Sequence, residues 1–161
     1  MRIGILLLPL LLLSGCLGGS YRTIREFDIS CRPLTGEKGF YLREFRNEST
    51  SGRKMQFRSA AGELFRDPYC LWALPPEALI PRAVNSAMPK VDRRTDVSGK
   101  LFRFEVDKKE MKLLLSGSFE INKCSRCFDI AVPVEKLTPE VIVRAAGKAA
   151  DELAAAIMKV K

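Results

Sequence analysis

The chain contains no histidine among its 161 residues, and this absence excludes several classes of function. Histidine is the commonest general base and the commonest nitrogen ligand of metal ions, so neither a Ser-His-Asp nor a Cys-His catalytic site can be built from this chain alone. A G-x-S-x-G turn, a phosphate-binding P-loop and a G-x-G-x-x-G fingerprint are also missing. Carboxylate pairs of the glycosidase kind stay compatible with the composition, but no such pair stands out. No catalytic motif therefore stands out in the sequence, and we expect no cofactor and no metal.

Concentrated charge is lacking as well. Lysine and arginine total 27 against 19 acidic residues, for a net charge of +8, yet these charges are scattered and no nucleic-acid motif accompanies them. We therefore expect no nucleic-acid partner. A solvated surface is the simpler interpretation of the excess charge, and contact with anionic lipid headgroups or an acidic partner is the alternative. The hydrophobic content of 47% is typical of a folded domain.

The amino terminus has the layout of a secretory signal. Arg2 precedes an uncharged, mostly leucine run from Ile3 to Leu13, which ends in Leu13-Ser14-Gly15-Cys16. The run is too short for a transmembrane anchor, which needs ~20 apolar residues, and an ordinary cleaved signal needs no cysteine. The cysteine after small residues resembles the lipobox of bacterial lipoproteins. We predict that residues 1–15 are a signal peptide and that Cys16 carries diacylglycerol on its sulfur and an acyl chain, such as palmitate, on its amine.

Several acyl chains on one residue give stable membrane attachment, whereas a single chain gives marginal binding. Residues 16–20 are predicted to be a flexible tether by composition. Leu17 follows the cysteine at the position where lipoproteins retained in the inner membrane usually carry aspartate. Leucine resembles the outer-membrane class, so we expect a lipid-anchored protein on the periplasmic face of the outer membrane.

Residues 21–161 are predicted to form a single domain in which strands alternate with two helices. Pro75-Pro76-Glu77 suits the first turn of a helix that runs to about Met88, and a second helix is expected from Thr138 to the end of the chain. The apolar face of the second helix is mostly alanine, which favours core packing over the alternative of a membrane-surface helix. The pattern predicts an α+β fold: a two-layer sandwich of a mainly antiparallel sheet with two helices packed on one face. Strands are predicted at residues 21–29, 40–45, 55–59, 64–72, 100–106, 111–122 and 127–134, with a polar connection at 92–99.

Four cysteines remain after Cys16, namely Cys31, Cys70, Cys124 and Cys127. An oxidising periplasm favours disulfides. If Ser125-Arg126 forms a two-residue hairpin loop, Cys124 and Cys127 face each other across the ladder about 5.5 Å apart, which a disulfide can span. Cys31 and Cys70 are the candidates for a second bridge. Two alternatives stay open: a zinc site using all four thiols and a C-x-x-C redox pair.

Three stretches of the sequence resemble the auxiliary lipoproteins of ABC-type transport systems, the family that includes the outer-membrane lipoprotein of the paraquat-inducible lipid-transport system. The first is the lipobox that ends at Cys16. The second is the segment 62–80, with Trp72-Ala73 as its sharpest element, and the third is the strand at 128–134 with the alanine-rich helix at 138–157. Trp72 is expected either in the core or at a partner contact, the core being the more frequent role.

This resemblance implies a non-catalytic accessory protein that works with a permease, an ATPase and often an MCE-domain protein to move lipids or other hydrophobic molecules across the envelope. It also implies that the ATPase belongs to a partner, in agreement with the missing P-loop. Exposed sheet edges are expected to pair with a partner or with further copies of the chain as a homo-oligomer. An envelope-assembly lipoprotein, of the lipopolysaccharide-assembly or cell-wall-synthase activator type, is the alternative function.

Overall fold

The computed structural model describes residues 22–160, which form seven strands and two helices. The strands have alternating apolar residues, and the helices have apolar residues at helical spacing. The predicted signal peptide, the lipid-attachment residue Cys16 and the tether lie outside the described residues. The elements are β1 (Arg25–Phe27), β2 (Gly39–Asn47), β3 (Lys54–Arg58), β4 (Leu64–Trp72), α1 (Pro76–Ala87), β5 (Arg94–Asp107), β6 (Lys112–Ile121), β7 (Cys124–Pro133) and α2 (Pro139–Met158).

The described strands form one mixed sheet with the order β1-β4-β3-β5-β6-β7, and β2 lies beside β5. The two longest ladders, β5–β6 and β6–β7, are antiparallel with ten residue pairs each. The pairs β1–β4, β2–β5 and β3–β5 are parallel. Both helices pack against each other and against the sheet, with α2 over β6 and β7 and α1 beside β2. The predicted α+β class is therefore confirmed.

Strand β5 is the longest strand, and two separate segments pair with one of its edges. Strand β2 pairs with residues 94–101 and β3 pairs with residues 106–107. The intervening loop at residues 48–53 leaves the sheet between these two segments. The expectation of a polar connection at 92–99 was wrong for most of that stretch, because β5 begins at Arg94 and places Val97 in the core.

A buried polar network links the loop at residues 48–53 to β3 and β5. Arg58 Nε and Nη2 donate to the two carboxylate oxygens of Glu105 at 2.7 and 3.1 Å, and the Glu105 side chain is only 2% exposed. The same hydrogen bond to Glu105 raises the pKa of Arg58 above its already high ordinary value. Gln56 Nε2 donates to Glu105 at 3.3 Å and to Thr50 Oγ1 at 3.1 Å, while Arg66 donates to the Thr50 carbonyl. The loop is thus held to the sheet by groups whose hydrogen-bonding capacity is used.

Close packing in the sheet uses two glycines, each directly opposite an aromatic ring. Gly99 pairs with Phe45, and Gly117 pairs with Phe128. A Cβ on Gly117 would lie 2.0 Å from the Lys100 carbonyl oxygen and 2.7 Å from the Phe128 ring. Each aromatic ring lies over the backbone of its glycine, where a side chain on the glycine would force the strands apart.

The helix layer lies close to the sheet because its buried face is small. Along α2 the buried positions are largely alanine and glycine, with a few larger aliphatic side chains between them. A β-bulge at Phe102 interrupts the alternation of β5, so Leu101 is buried and Phe102 is exposed. No helix within residues 22–160 combines the length and the apolar character needed to cross a membrane.

Replacing Gly117 by alanine is expected to lower the free energy of unfolding by about 3 kcal/mol, because the added methyl overlaps backbone that cannot move without opening the sheet. Urea denaturation of the protein measures the loss. Gly52→Ala is the matched control, since a Cβ on Gly52 meets no atom within 4 Å, and it should leave stability nearly unchanged. Equal stabilities of the two variants would contradict the packing described here.

Replacing Arg58 by leucine leaves the Glu105 carboxylate buried without its main partner, so we expect a loss of about 3 kcal/mol in unfolding free energy. The double variant Arg58→Leu with Glu105→Leu removes both charges and should recover more than half of that loss. The double-mutant cycle is measured by the same urea denaturation. Additive losses from the two substitutions would show that Arg58 and Glu105 do not stabilise each other across β3 and β5.

Candidate functional site

Among the described strands, β1, β2 and β7 each pair along one side only, and the free edges of β1 and β2 are blunted. On β2, the side-chain amide of Asn85 from α1 takes the place of a neighbouring strand at Leu42. Leu42 N–H donates to Asn85 Oδ1 at 2.8 Å, and Asn85 Nδ2 donates to the Leu42 carbonyl at 3.0 Å. Capping of an edge by side chains or covering elements is a common protection against unwanted pairing.

The edge at β1 is short and charged. The strand has three residues, and its Arg25 forms an ion pair with Glu140 at the start of α2. Glu26 accepts a hydrogen bond from Arg53 Nη2 at 2.6 Å. Short edge strands with charged side chains offer few backbone groups to an incoming strand.

Strand β7 is different, since it has ten residues and, in the described part of the chain, pairs with β6 alone. Val134 N–H donates to the Met111 carbonyl at 2.8 Å. In an antiparallel ladder every second residue bonds to the neighbouring strand, so this hydrogen bond identifies which residues of β7 bond to β6. Counting back along the register, every second residue directs its backbone N–H and C=O away from β6. These residues are Ser125, Cys127, Asp129, Ala131 and Pro133.

Pro133 has no N–H, so one end of this edge is blunted, which is where proline is tolerated in sheets. The other four residues leave donors and acceptors open over a stretch of about 20 Å. A partner strand added here would extend the sheet through main-chain hydrogen bonds, with side chains deciding which strand fits. We call these four residues, Ser125, Cys127, Asp129 and Ala131, the open edge.

A cavity of about 520 Å³ lies beside the open edge, where the β6–β7 hairpin extends past the end of α2. Phe119 and Ile121 contribute to its apolar lining, and the charged side chains that line it, Arg126 and Lys159, are both cationic. Both of these cations belong to exposed residues. The lining of the cavity thus mixes apolar and polar groups, and its charged side chains are positive.

The predicted hairpin loop at Ser125-Arg126 was wrong. The turn lies at Asn122-Lys123, with φ of 51° and 67°, and Ile121 pairs with Cys124. Two successive residues of positive φ define the type I′ turn, whose twist matches the flanking strands, and asparagine is favoured there. Asn122 was the signal in the sequence that could have located this turn.

The candidate disulfide between Cys124 and Cys127 is therefore not supported by the structure. Both residues lie on β7, three positions apart, so about 10 Å separates their Cα atoms and their side chains point to opposite faces. A disulfide cannot span more than about 7 Å between Cα atoms. Cys31 and Cys70, the second candidate pair, are also free.

The two other interpretations of the thiols can be compared with their positions. Cys124 lies on a strand next to a turn and not at a helix amino terminus, where a redox motif would have its thiol pKa lowered. Cys31 contacts the Gly147 carbonyl on α2, and Cys70 lies on β4. Within residues 22–160, no group of three or more cysteine or acidic side chains is placed to hold a metal ion.

The buried thiols are poorly ionised. Burial, followed by the Asp151 carboxylate, raises the pKa of Cys31 to about 12. Burial also raises the pKa of Cys70, with Asp67 adding to the effect. Cys124 and Cys127 are instead exposed.

Trp72 lies in the core, which is one of the two roles expected for it. Its side chain is 3% exposed and its ring centroid is 5.1 Å from that of Phe104. It ends β4 just before α1, so Trp72-Ala73 marks the junction at which the chain leaves the sheet for the helix layer. The tryptophan is a packing residue and does not reach the open edge.

Two solved structures resemble this fold. One is a crystal structure of an uncharacterized protein, with a TM-score of 0.66 and 10% identity over 84% of this chain and 96% of that one. The other is protein XCC0632 from Xanthomonas campestris, of the family DUF330, with a TM-score of 0.63 and 16% identity over 84% of this chain and 92% of that one. No protein-family model and no curated protein matches the sequence. At these identities the likeness concerns the fold.

Of the four thiols at Cys31, Cys70, Cys124 and Cys127 in the reduced protein, we expect two to react rapidly with an aromatic disulfide reagent at pH 8. Cys124 and Cys127 are exposed, whereas a pKa of about 12 leaves Cys31 with a thiolate fraction about a thousandfold below that of an ordinary thiol. The thiolate released is measured by absorbance before and after denaturation in guanidinium, which should expose all four. Rapid reaction of all four thiols in the native protein would contradict the placement of Cys31 and Cys70.

Proposed function

We propose that the chain is a non-catalytic lipoprotein on the periplasmic face of the outer membrane. It serves as an auxiliary, scaffolding component of an ABC transport system of the MCE type, which moves lipids or other hydrophobic molecules across the envelope. Its partners are an MCE-domain protein, a permease or an ATPase of that system. The protein itself supplies attachment and docking, and a partner supplies the energy.

The observation that carries this proposal is the difference between the sheet edges. Asn85 occupies the edge of β2, and β1 is three residues long, whereas β7 presents four outward N–H groups. A long open edge tends to cause aggregation unless a partner occupies it. A protein that must bind a partner strand at one defined surface needs one exposed edge and protection of the others.

The packing of the resembling stretches supports the same proposal. The segment 62–80 covers the end of the β3–β4 turn, β4 and the start of α1, and the segment 128–157 covers the second half of β7 and most of α2. The two helices contact each other, and α2 contacts β7. The residues that resemble the transport auxiliary family thus contribute to both helices and to the half of β7 that holds Asp129 and Ala131 of the open edge.

The predicted anchor fits a docking role. Eight residues lie between Cys16 and Arg25, the first residue of β1, and a fully extended chain covers at most ~3.6 Å per residue. The domain is therefore held within about 30 Å of the membrane that contains the acyl chains. A scaffold tethered so closely would hold its partner at the outer membrane.

Affinity purification of the acylated protein from its own membranes, followed by mass spectrometry, tests the proposal. We expect recovery of an MCE-domain protein, a permease or an ATPase. Ala131→Pro removes one outward N–H of the open edge without removing a hydrogen bond to β6, so we expect recovery of the partner to fall about tenfold or more. Ala131→Ser is the matched control, because serine keeps the N–H, and it should behave like the unchanged protein.

Three results would oppose the proposal in different ways. Recovery of a membrane barrel or a cell-wall synthase in place of transport components would support the envelope-assembly alternative. Undiminished recovery with a folded Ala131→Pro variant would show that the partner docks away from the open edge. Recovery of no partner at all would overturn the scaffolding role.

A further inference from the structure

The open edge and the cavity next to it act on the same incoming strand. A strand added to β7 lies ~4.8 Å away and places alternate side chains on the face that carries α2. On that face, beyond the last turn of α2, Cys124 and Arg126 of β7 line the cavity. One side chain of an added strand therefore points into the cavity while its backbone pairs with Ser125 and Cys127.

The cavity selects the chemistry of that side chain and its neighbours. Ala156 and Val160 in its lining are half-buried and offer apolar surface, so an apolar side chain gains by entering it. Both charged side chains in the lining, Arg126 and Lys159, are cationic and exposed. Together they can attract an anionic side chain of the incoming strand.

We propose that the occupant of this site is an extended segment of a partner protein that pairs with the hairpin half of β7, places a bulky apolar side chain in the cavity and pairs an acidic side chain with Arg126 and Lys159. This inference rests on the proposed scaffolding function and identifies the kind of segment that function requires. Main-chain hydrogen bonds to Ser125 and Cys127 supply the pairing. The apolar and acidic side chains supply the selectivity.

Photocrosslinking in intact membranes tests this inference on the full acylated chain. Ser125 is replaced by the photoreactive residue benzoylphenylalanine, and the crosslinked product is digested and sequenced by mass spectrometry. We expect a crosslink to one partner segment in which acidic and bulky apolar residues occur at alternate positions. Glu110, in the turn at the opposite end of β6, carries the same photoreactive residue in the control and should not crosslink to that segment.

Charge variants give a second readout on the same crosslink. Arg126→Glu with Lys159→Glu should lower the crosslink yield about tenfold or more, since like charges then face each other. Arg126→Lys with Lys159→Arg keeps both charges and should preserve most of the yield. Thermal unfolding of both variants checks that each is folded before the comparison is made.

The other outcomes separate failure of the inference from failure of the proposed function. Transport components that co-purify without crosslinking to position 125 would overturn the inference and leave the scaffolding role. A crosslink to phospholipid alone, a crosslink only between copies of the chain, or a yield insensitive to charge reversal would overturn the inference as well. A crosslink to an acidic, apolar segment of a protein unrelated to transport would support the inference and overturn the proposed system.

Discussion

The pairing of β5 along both of its edges is the constraint on which the rest of the fold depends. Its 14 residues need partners on each side, and one side is supplied by two segments, β2 and β3, that the chain does not join directly. The loop between them must leave the sheet and return. The carboxylate of Glu105, bound by Arg58 and Gln56, lies under that loop and satisfies the polar groups that the interruption buries. Strand β3 is thereby held beside β5. Strand β4 pairs with β3, β1 pairs with β4, and β4 leads into α1.

The small residues of the core and the location of the cavity have a common origin. Alanine and glycine along α2 let the helix lie close over β6 and β7, and glycines opposite Phe45 and Phe128 let the strands themselves stay close. A helix this close to the sheet leaves no open space beneath it. Space opens at the hairpin of β6 and β7, because the strands continue beyond the last turn of α2. The site follows from a difference in length between two elements that are otherwise tightly packed.

Much of the fold could be predicted from local pattern, whereas the candidate site could not. Strand β4 runs from Leu64 to Trp72 as its sequence predicted, and the alanine periodicity placed α2. The first half of β5 was missed because its alternate residues are polar and only Val97 there reaches the core. The hairpin was misplaced because the spacing of two cysteines outweighed the turn preference of Asn122. The open edge could not be predicted in this way, because the order of the strands depends on pairing between residues distant in the chain. Pro133 was the one local feature that indicated an edge strand.

The amide of Asn85 against Leu42 has a consequence for assembly. Continuous growth of a sheet from molecule to molecule needs two receptive edges on every subunit, one to accept and one to offer. In the described part of this chain, Asn85 takes the backbone groups of Leu42 on β2 and β1 has only three residues, so neither edge readily receives the open edge of a second copy. The molecule can therefore present a long unpaired strand and still resist growth into a continuous sheet through these edges.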